Sequence, residues 1–117
     1  MNKVIATARL TADAKTEQVG EKQTVKTTAR IALIPNSKDG RAPFVDLVAW
    51  GKSGEFLAKY GKRGRRLEVE GELDYQEWEG SDGSKHSRHQ IVTGPFQFRF
   101  LDKDGEVEDQ AGEAQGE

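Results

Sequence analysis

The chain of 117 residues contains no cysteine, which excludes a disulfide-stapled scaffold and a thiolate metal site. No apolar run approaches the roughly 18 residues of a membrane-spanning helix, and 32% of the residues are charged. A soluble protein without a membrane partner is expected. No internal repeat is present, and the opening MNKVIATARL is a short amphipathic strand rather than a basic region followed by a long apolar one. Secretion is therefore not expected, and a cytoplasmic location is. The length suits one compact domain and is short for two.

Net charge is low as well, at −2, but it is unevenly spread. Residues 1–101 carry 17 Lys and Arg against 13 Asp and Glu, whereas residues 102–117 carry one Lys and seven acids. The first part reads as a basic folded domain. The second has one aliphatic side chain large enough to pack, Val107, and no aromatic. It reads as a disordered acidic tail, with solubility as its simplest role.

Aromatics make up only 8% of the chain, so their positions carry weight. In the segment Phe44 to Lys52, strand alternation puts Val45, Leu47 and Ala49 in one row and Phe44, Asp46, Val48 and Trp50 in the other. The apolar row is the natural core. Phe44 and Trp50 then stand on the polar face, with Lys52 two positions further on. Exposed rings beside cations suit a single-stranded nucleic acid, whose bases stack on π-faces and whose phosphates need neutralising. The same Trp50 would equally serve a strand end or a subunit interface.

Further β-like runs are separated by turn chemistry. Asn2–Leu10 reads as one strand. Gln23–Ile34 is a second, with Val25, Thr27, Ala29, Ile31 and Leu33 alternating with Thr24, Lys26, Thr28, Arg30 and Ala32. Pro35 ends it, and the loop to Pro43 turns at Asp39-Gly40 and carries Lys38 and Arg41. After the Phe44–Trp50 strand comes one helix, with Ser53 expected as N-cap, Glu55 in its first turn, and Phe56, Leu57 and Tyr60 as its apolar side. Gly61 stops it. Beyond the basic turn 62–66, a fourth strand carries Leu67, Val69, Gly71, Leu73 and Tyr75 on one face and Glu68, Glu70, Glu72, Asp74, Gln76 and Trp78 on the other. A tip at residues 79–84 leads into a strand from Lys85 to Thr93, and PFQFRF closes the body. The expected fold is all-β: a five-stranded barrel of the OB type with one short helix between its third and fourth strands and a protruding β-hairpin.

The chain resembles bacterial and phage-type single-stranded DNA-binding proteins, which assemble oligomers of OB domains. The residues that carry the resemblance are Asn2-Lys3-Val4-Ile5, Arg9-Leu10 with Asp13, Trp50-Gly51-Lys52, and Tyr60-Gly61-Lys62-Arg63-Gly64. They continue with Leu67 to Leu73, Trp78 and Asp82-Gly83. The resemblance implies base stacking on Phe44, Trp50 and Trp78 and phosphate contacts from Lys52, Lys62 and Arg63. Arg30, Lys38, Arg41, Arg65 and Lys85 are added as cation candidates from charge and strand face. It also implies a homo-oligomer and a role in replication, recombination or repair.

Several positions depart from the family pattern. The loop before the third strand has no aromatic, and Asp46 and Glu77 stand where DNA-facing cations are expected. The acidic row Glu68, Glu70, Glu72 and Asp74 lies on a surface that relatives use to join dimers, which favours a dimer over a tetramer. The sequence at 114–117 does not match the acidic-plus-hydrophobic ending by which many relatives recruit enzymes.

Two other classes deserve weighing. An OB-fold accessory subunit, primosome-like and acting through protein contacts, suits the missing loop aromatic and the acidic row, while exposed tryptophans beside basic turns speak against it. A metal-dependent hydrolase needs converging carboxylates, which are not seen. His86 and His89 are three apart in a strand and so face opposite sides, which disfavours a shared metal. No enzyme activity, cofactor or small-molecule substrate is expected.

Overall fold

The chain forms seven strands, β1 (Val4–Leu10), β2 (Lys15–Val19), β3 (Thr24–Leu33), β4 (Phe44–Trp50), β5 (Arg66–Glu79), β6 (Lys85–Thr93) and β7 (Phe98–Phe100), with one helix, α1 (Gly51–Tyr60), between β4 and β5. The computed structural model describes residues 1–35 and 38–102. The acidic tail expected at 102–117 lies, apart from Asp102, outside the described residues.

β1, β3, β4, β6 and β5 follow one another through hydrogen-bonded ladders, and β5 pairs back onto β1. Five strands therefore close into a ring, as the sequence led us to expect. The β4–β6 ladder is parallel and the others antiparallel. β2 adds to β3 and β7 to β5. The interior is filled by Leu10, Ala29, Ile31, Leu47, Leu57, Leu67, Val69 and Ile91, each large aliphatic among them worth roughly 1.5–3 kcal/mol on burial.

β2 was not foreseen. Its sequence, KTEQV, offers no large apolar residue before Val19, and four of its five residues are exposed. It forms because it pairs along β3 from Lys15↔Thr28 to Val19↔Thr24, so the neighbouring edge supplies what the local pattern lacks.

The start of the helix also differs from expectation. Gly51 has φ +62, a left-handed conformation natural to glycine, and it lets the chain turn from strand to helix without a loop. The N-cap is therefore Trp50, with no side-chain cap, and the first turn carries no acid. Ser53 is buried inside the helix rather than capping it. At the other end the Gly61 N–H donates to the Leu57 carbonyl. The buried Thr27 hydroxyl donates to the Gly54 carbonyl at 2.6 Å and bonds Thr16 at 2.8 Å, tying β2, β3 and α1 together.

β5 changes partners along its length. Up to Gly71 it pairs with β1, and from Glu72 with β6. A Cβ at Gly71 would press into the Val92 carbonyl, so only glycine lets the two strands approach this closely. Beyond that point the β5–β6 hairpin runs past the core. Leu73 and Tyr75, expected to face inward, are accordingly 44% and 51% exposed.

Candidate nucleic-acid interface

The ladder register puts the three predicted stacking aromatics on one face. Phe44, Asp46, Val48 and Trp50 share it on β4, and the pairs Asp46↔Gln90, Asp74↔Gln90 and Trp78↔His86 extend it through β6 to β5. Phe44, Trp50 and Trp78 are all exposed. Val48, assigned to the same row, is buried instead. It lies between Thr28 and Val92 in the centre of the sheet, both themselves partly covered.

Each of the three rings carries a cation. Lys26 Nζ lies 5.6 Å from the Trp50 centroid, Arg30 Cζ 5.8 Å from Phe44 and Arg88 Cζ 5.1 Å from Trp78. The His86 ring stacks on Trp78 with centroids 5.5 Å apart. Asp46 sits between the two arginines and binds Arg30 Nη1 at 3.3 Å and Arg88 Nη1 at 3.4 Å. Next to it Gln90 donates to Asp74 at 3.0 Å, while its own Oε1 is buried without a protein partner among the described residues.

Lys26 and Arg88 were missed by the sequence reading. The alternation that selected Arg30 places Lys26 on the same face of β3. Arg88 needs the hairpin register, which pairs it with Gln76, two residues before Trp78. That register follows from the tip between Glu79 and Lys85, where the Gly83 N–H donates to the Gly80 carbonyl and closes a turn centred on Ser81-Asp82.

Of the other predicted cations, Lys52 is exposed at the start of α1, directly after Trp50. Lys38 and Arg41 are exposed on the β3–β4 loop. Lys62 and Arg63 are exposed on the loop after α1. That loop is fastened to the β1–β2 turn, where the Arg63 N–H donates to Asp13 and the Ala14 N–H to Gly61.

One candidate is corrected. Arg65 is buried, not a surface cation. Its Nε pairs with Asp102 Oδ1 at 3.1 Å, its Nη1 donates to the Tyr60 carbonyl at 3.0 Å, and its guanidinium lies 4.1 Å from the Phe100 centroid. It fastens the end of the folded body, and Asp102 belongs to that body. Lys85 pairs with Glu79, and this parity sets it on the hairpin face opposite Trp78, His86 and Arg88. Glu77 is on that reverse face too, accepting from the Tyr75 hydroxyl at 2.7 Å.

The acidic row of β5 is likewise not a bare surface. Arg99 pairs with Glu68 at 2.9 Å and Lys3 with Glu70 at 2.7 Å. Asp74, beyond the change of partners at Gly71, shares the aromatic face.

At the hairpin tip, Asp82 Oδ1 accepts from the Ser84 hydroxyl at 2.6 Å and from the Ser84 N–H at 3.0 Å. These bonds favour its charged form and hold its pKa below the ordinary 3.8. The Ser84 hydroxyl also bonds His86 Nε2 at 2.9 Å, linking the tip to the ring stacked on Trp78. Among the described residues no cluster of three His, Asp or Glu side chains is placed to hold a metal, and no helix is long and apolar enough to cross a membrane.

Comparisons with known proteins agree with this architecture. A protein of Clostridium perfringens, "Single-stranded DNA-binding protein", is 32% identical over 98 residues, which cover 84% of this chain and 65% of the relative's length. "Single-stranded DNA-binding protein 2" of Streptococcus agalactiae is 35% identical over 83% of this chain and 76% of its own. In fold, the chain is similar to one in a Plasmodium falciparum SSB complex with single-stranded DNA, with a TM-score of 0.72, 17% identity, and coverage of 87% of this chain and 96% of that one. The model of the single-strand binding protein family matches residues 1–100, and the chain belongs to that family.

Proposed function

We propose that this protein binds single-stranded DNA without sequence preference, by stacking bases on Phe44, Trp50 and Trp78 and contacting phosphates with nearby cations, without chemistry. The observation that carries this reading is three exposed aromatics on one sheet face, each with a cation against its ring. A π-face accepts any base, and a neighbouring guanidinium or ammonium neutralises the phosphate that follows it. Lys26, Arg30, Arg88 and Lys52 are the first cations to engage. Lys38, Arg41, Lys62 and Arg63 extend the path around the barrel. Occupancy keeps the strand from re-pairing and from nucleases during replication, recombination or repair, in the cytoplasm.

We infer a homodimer as well. The β3 ladder reaches β1 only at Ala8, Arg9 and Leu10. Beside its open stretch, Ile5, Ile34 and Phe96 are exposed along a groove that Pro35 and Pro43 also line. An open edge next to apolar surface favours pairing. Light scattering at tens of micromolar tests this, and a monomer there refutes it.

Both tryptophans lie on the binding face, so titrating intrinsic fluorescence with an unstructured oligonucleotide gives the direct test of DNA binding. Strong quenching by single strands and little by duplex is expected. Unchanged emission at micromolar single-stranded DNA overturns the reading, and equal affinity for duplex moves the protein to the class of OB-fold accessory subunits.

A further inference from the structure

A carboxylate at the centre of a polyanion-binding face works against binding unless it has a task there. Asp46 is such a group: its side chain is 13% exposed, and its two oxygens are divided between Arg30 on β3 and Arg88 on β6. Those same arginines lie against Phe44 and Trp78, rings on two different strands. One carboxylate therefore connects both ring–cation pairs across four neighbouring strands, β3, β4, β6 and β5.

We propose that Asp46 is a resident stand-in for a DNA phosphate: it holds Arg30 and Arg88 together on the empty face, and an incoming phosphate must compete with it for both guanidiniums. The inference rests on the DNA-binding reading of this face. A carboxylate and a phosphate offer an arginine the same pair of anionic oxygens. Both arginines keep about half of their side-chain surface in solvent, at 55% and 45% exposed, so they are free to swing to a new partner. The ion-pair distances of 3.3 and 3.4 Å are longer than the 2.7–2.9 Å typical of tight charge-assisted bonds. Such pairs exchange readily.

The consequence is a face of adjusted strength. With Asp46 in place, the two arginines present one net positive charge rather than two. The empty site keeps its cations ordered near the rings, and the bound strand leaves more easily because the arginines have a partner to return to.

The test compares wild type with Asp46→Asn and Asp46→Thr, both close to aspartate in size and polar, and with Glu68→Gln. The last removes the same charge from a carboxylate paired with Arg99 away from the aromatic face. Melting curves establish that each variant is folded, and affinity for an oligothymidine is then measured from dilute buffer to high salt. Both Asp46 variants should bind about 3- to 10-fold more tightly in dilute buffer, the range for releasing two partly exposed ion pairs. The slope of log K against log salt should steepen by about 0.7, the value for one further phosphate contact on a single strand. Glu68→Gln should leave both quantities at the wild-type value.

If the Asp46 variants bind equally or more weakly, the stand-in role is overturned, and weaker binding would assign Asp46 to pre-organising the arginines. Tightening by Glu68→Gln to the same extent reduces the effect to net charge and overturns it too. Wild type that fails to bind any single strand refutes the function of the face, an outcome distinct from all of these.

Discussion

Lys26 stands directly across the β3–β4 ladder from Trp50, with its Nζ 5.6 Å from the indole centroid. A cation in that position both supports the ring and meets the phosphate of a stacked nucleotide. Lys26→Ala should therefore weaken single-strand binding and flatten the salt slope by about 0.7, the loss of one phosphate contact. Lys85→Ala, on the reverse face of the hairpin, should do neither. Equal effects of the two would mean that the face is read only through overall charge.

The aromatics themselves should matter more for binding than for folding. Phe44→Ala, Trp50→Ala and Trp78→Ala are each expected to cost about 1–3 kcal/mol of affinity with little change in melting temperature, because all three rings are 44–54% exposed. A loss of about 3–5 kcal/mol in stability for Trp50→Ala, as for a core aromatic, would show that Trp50 is structural.

Arg65 should behave in the opposite way. Replacing it by Ala takes its nearest cation from the carboxylate of Asp102, whose side chain is 3% exposed and which keeps the Arg66 N–H at 3.2 Å and Arg66 Nε at 3.8 Å, and removing one member of a buried pair costs roughly 3–5 kcal/mol. Urea unfolding should show that loss while oligonucleotide affinity of the folded fraction is kept. A stable Arg65→Ala variant with weakened DNA binding would restore Arg65 to the interface.

Acid should loosen the hairpin tip. Ser84 holds the Asp82 pKa below its unfolded value of 3.8, so the stabilisation is present above 3.8 and is lost as pH falls through the lower, folded value. The Ser84 amide resonance should titrate with a midpoint below 3.8, and Ser84→Ala should raise the Asp82 midpoint towards it. An unchanged midpoint in that variant would refute the assignment.

Removal of Lys103–Glu117 should tighten single-strand binding in dilute buffer. A tethered polyanion competes for a basic face at high effective concentration. The gain should fade near physiological salt, where the Debye length is about 8 Å. The truncation must spare Asp102, because losing its buried ion pair with Arg65 would mask the result. Equal binding by both forms across the salt series would leave solubility as the tail's role.

The strands that face the core were legible in the sequence, since Val25 to Leu33 alternate with mainly polar residues and Leu47 and Ala49 are buried as alternation requires, with Val48 between them the exception. The same parity found Phe44, Trp50 and Trp78. What escaped depended on partners distant in sequence. β2 exists through β3, Arg88 joins the face through the hairpin register, and Arg65 is buried because a carboxylate 37 residues later reaches it. Charge alone suggested a surface position for Arg65. The helix start was misplaced because Ser53 is a good cap by residue type, whereas Gly51 allowed the cap to fall three residues earlier, at Trp50.

The change of partners at Gly71 divides β5 between two independent tasks. Residues 66–70 present Glu68 and Glu70 beside β1 and β7, while residues 72–79 present Asp74 and Trp78 to the aromatic face. A single 14-residue strand thus has two separately mutable halves, so the surface beside β1 and β7 can drift in evolution, or be redesigned, with little disturbance to the aromatic face. The exception is position 71 itself, where any side chain would strain both halves at once.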